Sequence, residues 1–259
     1  GTAFGHKTGH TADPSHDLLT ALPDGMDPML GIFVGQMGPI AANGILHADA
    51  EAFGAAVPHL GASLDGRPAL IWGGGTVGLF CALFAQAAGA SEVVVVDPSP
   101  FRQDIIRKLG MTPMNEDAAV AHAKSAWHDR HGGRGAEVVF QTRAHSDSLH
   151  RALAALRPQG TVIDLAFYQG GLPDLRLGEE FHHNGLRLIC AQINRMPRRL
   201  AADWNQRRLA AETVRLLERM GPAIRQHLIT HVVPFDEAPR FLERLVAERF
   251  DFLQVVFAT

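Results

Sequence analysis

The chain has 259 residues, enough to bury a full core as one large domain or two small ones. Its formal charge of -3 and pI near 6.5 provide no broad basic field, so no nucleic-acid partner is expected, and the arginines of 195–199, Arg207 and Arg208 read as a solvated helix face. Two cysteines, Cys81 and Cys190, read as buried thiols of a reducing compartment; with no apolar run near the roughly 18 residues of a membrane span and no charged-then-apolar leader, no membrane partner and a cytoplasmic location are the expectations.

Residues 1–30 are rich in His, Pro and turn residues without periodicity, so this stretch must lean on the rest of the chain. His6 and His10 are four apart, as metal ligands on a helix would be. Gly5 and Gly9 oppose that helix, and the pair reads as surface or interface histidines. The run 31–48 is apolar, small and helix-compatible after Pro39, as a buried connecting helix would be. Residues 69–72, 93–96, 137–140, 161–166 and 186–191 are short, nearly uninterrupted apolar runs, the pattern of strands buried on both faces of a parallel sheet. Helical stretches at 76–88, 101–109, 117–131 and 146–156 alternate with them. This is the β-α-β-α order of an α/β, doubly wound parallel sheet, and Pro158-Gln159-Gly160 supplies the turn into its fourth long strand. After Ala191 the pattern changes to an arginine-rich amphipathic helix at 200–220, the segment 231–235, a helix at 237–248 and a last strand at 252–257.

The most informative stretch lies between the first two strands. Gly73, Gly75 and Gly78 sit between an apolar strand and an Ala-rich helix, and Asp97 closes the second strand. Gly73 permits the tight turn, Gly75 lets the backbone approach a pyrophosphate, and Gly78 lets the helix pack close to the sheet. The helix start at Thr76 and Val77 then aims free N–H groups and a positive dipole end at the phosphates. Asp97, 19 residues beyond Gly78, stands where a carboxylate accepts the adenosine ribose hydroxyls and repels a 2′-phosphate, which favours NAD over NADP. Arg102 is a counterweight, since a guanidinium there can accept a 2′-phosphate. Two other readings remain open: a glycine-rich turn that binds nothing, and an S-adenosylmethionine-dependent methyltransferase, although 69–72 lacks an acid just before the glycines.

Several stretches together resemble the medium-chain dehydrogenase/reductase family, the zinc-type alcohol dehydrogenases and their relatives. They are Leu22-Pro23-Asp24-Gly25-Met26-Asp27-Pro28, the 35–48 helix, 70–78, 93–97 with Pro100 and Arg102, Arg157-Pro158-Gln159-Gly160-Thr161-Val162, and Leu228-Ile229-Thr230-His231 with Val233-Pro234. The resemblance implies a Rossmann domain at 49–192, a remnant of a catalytic domain with the connecting helix at 1–48, and a C-terminal return to that domain at 193–259. It also implies that most of a GroES-like β-domain, with the early zinc ligands, lies outside this chain. The family's later ligand cysteine falls on Gln36, and the four-cysteine structural loop has no counterpart, so zinc is not expected from this chain.

By the same resemblance the nicotinamide end lies beside the 38–43 helix, the strand end 166–168 and the segment 191–194. Gln36, Asn43 and Tyr168 are then the candidate catalytic polar groups, with Gln192 and Asn194 nearby, while Thr142 and Phe167 flank the cofactor. Tyr168, the only tyrosine, either offers a proton to a substrate oxygen or caps the sheet as a loop aromatic. His47 reads as a buried, hydrogen-bonded histidine. The implied activity is NAD(H)-dependent hydride transfer on a small alcohol or carbonyl substrate without zinc; the other reading is a non-catalytic cofactor-binding relative. Such relatives pair edge strands into homodimers, for which 186–191 and the neighbouring 172–177 are the suitable edge.

Overall fold

The computed structural model describes residues 8–259, so Gly5 and His6, and with them half of the His6/His10 pair, lie outside the described residues. Six parallel strands form the main sheet: β1 (Pro68–Trp72), β2 (Glu92–Val96), β3 (Thr112–Met114), β4 (Ala136–Gln141), β5 (Leu156–Asp164) and β6 (Arg187–Cys190), in the order β3-β2-β1-β4-β5-β6. The chain winds outward from β1 to β3, crosses back, and winds the other way from β4 to β6. The strand order therefore reverses between β1 and β4, the crevice where sheets of this kind bind ligands.

Period-two alternation explains the uninterrupted apolar strands. Ala69, Ile71, Val95, Phe140 and Ile163 enter one core layer, whereas Leu70, Trp72, Val94, Val139 and Val162 enter the other. The first layer is closed by α1 (Met37–Phe53), α2 (Thr76–Ala87), α3 (Pro100–Lys108) and the long α6 (Gln206–His227). The second is closed by α4 (Glu116–Ala126) and α5 (Ser146–Ala154). A separate parallel pair, β7 (Ile229–Pro234) and β8 (Gln254–Ala258), is joined through α7 (Ala238–Glu248).

The departures from expectation have local causes. The helix expected over 117–131 stops at Ala126, because Trp127 turns into an extended conformation and buries its ring, its indole N–H donating to Glu92 Oε2 at 2.8 Å. The turn at Pro158-Gln159-Gly160 lies inside β5, where Gln159 takes φ 61° and the register against β4 shifts. Helix α6 begins six residues later than expected, at an Asn205 cap that accepts from the Arg208 N–H. It also runs through Gly221-Pro222, since Gly221 and Ile224 are buried on the core side. The expected edge strand 172–177 forms no strand; Leu172 and Leu175 pack on the second core layer. β6 does lie at the sheet edge, and Cys190, expected to be buried, is exposed there. Cys81 is buried.

The connecting helix α1 is seated by close contact with α6. A Cβ built on Gly38 would stand 2.2 Å from Thr213 Cγ2, too near for either helix to keep its place. Gly38→Ala should lower stability by about 1–3 kcal/mol, and adding Thr213→Ala should restore part of the loss; urea unfolding of the single and double variants measures this, and simple additivity would contradict the contact.

Candidate functional site

The glycine turn is built by exclusion of side chains. Leaving β1, Gly73 adopts φ 106°, open to glycine but strained for other residues. A Cβ on Gly78 would meet the Gly73 carbonyl oxygen at 1.8 Å and Thr142 Oγ1 at 2.8 Å, so only glycine lets α2 approach the turn this closely. Beneath it, the Thr142 hydroxyl donates to the carbonyls of Trp72 at 2.9 Å and Gly73 at 3.2 Å. Gly75 caps α2 without any side-chain hydrogen bond to the first turn, leaving the N–H groups around Thr76 and Val77 without a side-chain acceptor. A Cβ on Gly75 would point into open space, its nearest neighbour being Arg102 Nη1 at 4.0 Å.

Asp97 has a structural role that spacing alone does not reveal. Its Oδ2 accepts from the Gly74 N–H at 2.9 Å and from Arg102 Nη1 at 3.3 Å, and its Oδ1 accepts from the Ser99 N–H at 2.9 Å. The residue is 2% exposed. The carboxylate thus ties the glycine turn to the end of β2, with Arg102 bound to it rather than swung away. Oδ1, which accepts from Ser99 alone, keeps lone-pair capacity for a further donor.

The other proposed residues divide between the two faces of the sheet. On the α1 side, Asn43 is fully buried and its amide donates to the carbonyls of Ala191 at 3.4 Å, Gln192 at 3.0 Å and Arg195 at 3.3 Å. His47 Nε2 lies 3.1 Å from the Arg195 carbonyl, and burial pulls its pKa down. Both side chains clamp the connecting helix to the segment after β6. Leu165 packs on this face too, directly against Gly44. Tyr168 packs on the opposite face, against the second core layer, and its hydroxyl donates to Asp164 Oδ1 at 3.1 Å. Asn43 and Tyr168 are therefore not brought to one pocket. Gln36 is exposed at the start of α1, and Phe167 is 78% exposed beyond β5.

Two acids were not singled out by sequence reasoning. Asp164 ends β5, where it also accepts from the Ala166 N–H at 3.1 Å, and burial pushes its pKa up to about 6. Glu116 Oε1 accepts from the Trp72 indole at 3.3 Å, Arg143 Nη1 at 2.9 Å and the Ser148 hydroxyl at 2.8 Å. An acid closing an apolar strand was a usable signal for Asp164. Glu116 looks in sequence like any first-turn helix acid.

Among the described residues no group of three or more His, Cys, Asp or Glu is placed to hold a metal ion. Among the described residues, Gln36 offers only an exposed amide and burial pushes the Cys81 thiol pKa far up, so neither is a ready ligand for a catalytic zinc.

The chain was compared with known proteins. The family model described as zinc-binding dehydrogenase matches residues 76–203. A D-guloside 3-dehydrogenase of Escherichia coli (strain K12) is 30% identical over 174 residues, covering 66% of this chain and 48% of the relative. A probable D-xylulose reductase A of Aspergillus clavatus is 29% identical over 185 residues, covering 70% of this chain and 48% of the relative. The chain spans about half the length of these curated relatives. Among solved structures, an alcohol dehydrogenase from Thermus sp. ATN1 superimposes with a TM-score of 0.69 at 21% identity, over 93% of this chain and 61% of that one, a likeness of fold. With its glycine turn, parallel sheet and these relatives, the chain belongs to the medium-chain dehydrogenase/reductase family of zinc-type alcohol dehydrogenase-like proteins.

Proposed function

We propose that the chain binds NAD(H) across the crevice between β1 and β4 and presents it for hydride transfer on a secondary alcohol or ketone of a sugar or polyol. The observation that carries the cofactor reading is the close approach of α2 to the turn, with no room for a Cβ on Gly78 and open space at Gly75. Uncapped N–H groups of the first turn of α2 would meet the pyrophosphate. Asp97, beside the same turn, would accept ribose hydroxyls and disfavour a 2′-phosphate. The nicotinamide, when bound, supplies or takes the hydride. The substrate class follows the names of the curated relatives, which act on a guloside and on xylulose.

The roles of this chain's own side chains are mostly to position. Asn43 fixes the 191–195 segment against α1, and Thr142 braces the turn. Tyr168 has one phenolic proton and donates it to Asp164, which supports a latch holding the 165–168 loop rather than proton donation to substrate. That observation also favours a second reading, a cofactor-binding chain without turnover of its own. We further propose that β6, an edge strand with Leu188 38% exposed, pairs with its counterpart in a homodimer. Light scattering at micromolar concentration should return twice the chain mass, and a monodisperse monomer would contradict this.

Calorimetry separates the cofactor readings. NADH should bind at least about tenfold more tightly than NADPH, and Asp97→Ser should narrow that ratio by about tenfold or more, since charged hydrogen bonds are each worth about 1.5–3 kcal/mol. Binding of S-adenosylmethionine alone, or tighter binding of NADPH, would overturn the assignment. Turnover of a sugar alcohol by the NADH-bound chain would decide against the second reading.

Asp164 gives a stability test. Its raised pKa means that the folded chain holds a proton the unfolded chain releases between about pH 4 and the folded value near 6, so stability from this group is lost as pH rises through that window. Asp164→Asn should therefore be more stable than the parent at pH 7 and match it near pH 4. A difference between the two that is constant with pH would show that burial does not perturb this carboxyl.

A further inference from the structure

At the opposite end of the sheet from the glycine turn, the chain forms a cleft of about 760 Å³, within the size range of small-molecule sites. Pro68, the first residue of β1, lines it, so it stands about 16 Å along the chain from Gly73, where the glycine turn starts. Four guanidinium groups reach it from four separate segments: Arg67, Arg130, Arg157 and Arg187. Three carboxylates oppose them, and the pairing is uneven. Arg67 and Arg157 share one oxygen, Glu137 Oε2, at 2.8 and 3.2 Å, and Arg187 lies 3.2 Å from Glu51. Asp129, 3.4 Å from Arg157, spends its Oδ1 on the N–H groups of His131 and Gly133 in its own turn. Arg130 has no ion-pair partner among the described residues.

A guanidinium offers five donors. Two of them converging on one carboxylate oxygen leave most of those donors unspent and hold two positive charges close together. A second anion in the cleft would satisfy both.

We propose that this cleft is a binding site for a small polyanion carrying at least two phosphate or carboxylate groups, held by Arg67, Arg157 and Arg130. The forked donors suit oxyanions, which accept two parallel N–H bonds from one guanidinium. The site does not depend on the cofactor assignment, because it lies at the other end of the strands and uses none of the glycine-turn residues.

Calorimetry of the chain with inorganic pyrophosphate and, separately, with citrate tests it and separates phosphate from carboxylate recognition. The variants are Arg157→Gln and Arg130→Ala in the cleft, and Arg102→Ala at the glycine turn as the control. At least one of the two anions should bind the parent and Arg102→Ala chains alike, weaken about tenfold or more in Arg157→Gln, and weaken about threefold in Arg130→Ala, whose contact is exposed. Should Arg157→Gln fail to fold, the exposed and unpaired Arg130 decides alone. Three results would each overturn the proposal: no binding of either anion below about 10 mM, affinity indifferent to the cleft variants, or affinity lost in Arg102→Ala, which would place the anion at the glycine turn.

Discussion

The fold around the crevice depends on one close approach, that of Gly78 in α2 to the Gly73 carbonyl. Packing at this distance lets the first turn of α2 end beside the C-terminal end of β1, with its N–H groups pointing out of the sheet. Thr142 from β4 and Asp97 from β2 then hold the turn from either side, the first through two carbonyls and the second through the Gly74 N–H. Three neighbouring strands thus converge on six residues of backbone. The hydrogen bonds there are ordinary ones of about 0.5–3 kcal/mol each. Their value lies in fixing a backbone that glycine alone would leave loose.

This arrangement makes Asp97 a structural group, beside the recognition role proposed for it. An acid at the end of the second strand is legible from its spacing to Gly78, and so is its expected partner, a ribose. Its hydrogen bonds to Gly74 and Ser99 are not legible, because backbone N–H groups leave no mark in a sequence. The ion pair with Arg102 likewise follows from the path of the chain after β2.

β1, β2, β4 and β5 were readable because both faces of the sheet are largely buried there, so apolar runs mark them directly; β3 has no such run and was missed, and β6, expected to be buried, is mostly exposed at the edge. Helix ends were readable where a cap coincided with the pattern, as at Ser99, and misread where the cap lay inside the amphipathic run, as at Asn205, or where burial overrode a break. Gly221-Pro222 looks like a stop, yet packing against the core carries α6 to His227. The candidate catalytic set was the least legible part. The family resemblance puts Asn43 and Tyr168 at one site, but in the chain leaving β5 Leu165 packs on the α1 side whereas the Tyr168 ring packs on the opposite core layer. The basic cleft left no sequence signal either, since its arginines stand at 67, 130, 157 and 187 and meet only once the sheet has formed.

The central claim is that the glycine turn, braced by Thr142 and Asp97, is a dinucleotide cradle and not merely a tight connection. Amide hydrogen exchange with and without NADH tests it most directly, since it reports on the backbone donors themselves. The account predicts slowed exchange on adding NADH at residues 74–79 and 97–102. Unchanged exchange across both segments at saturating NADH, or slowing confined to other parts of the chain, would contradict it.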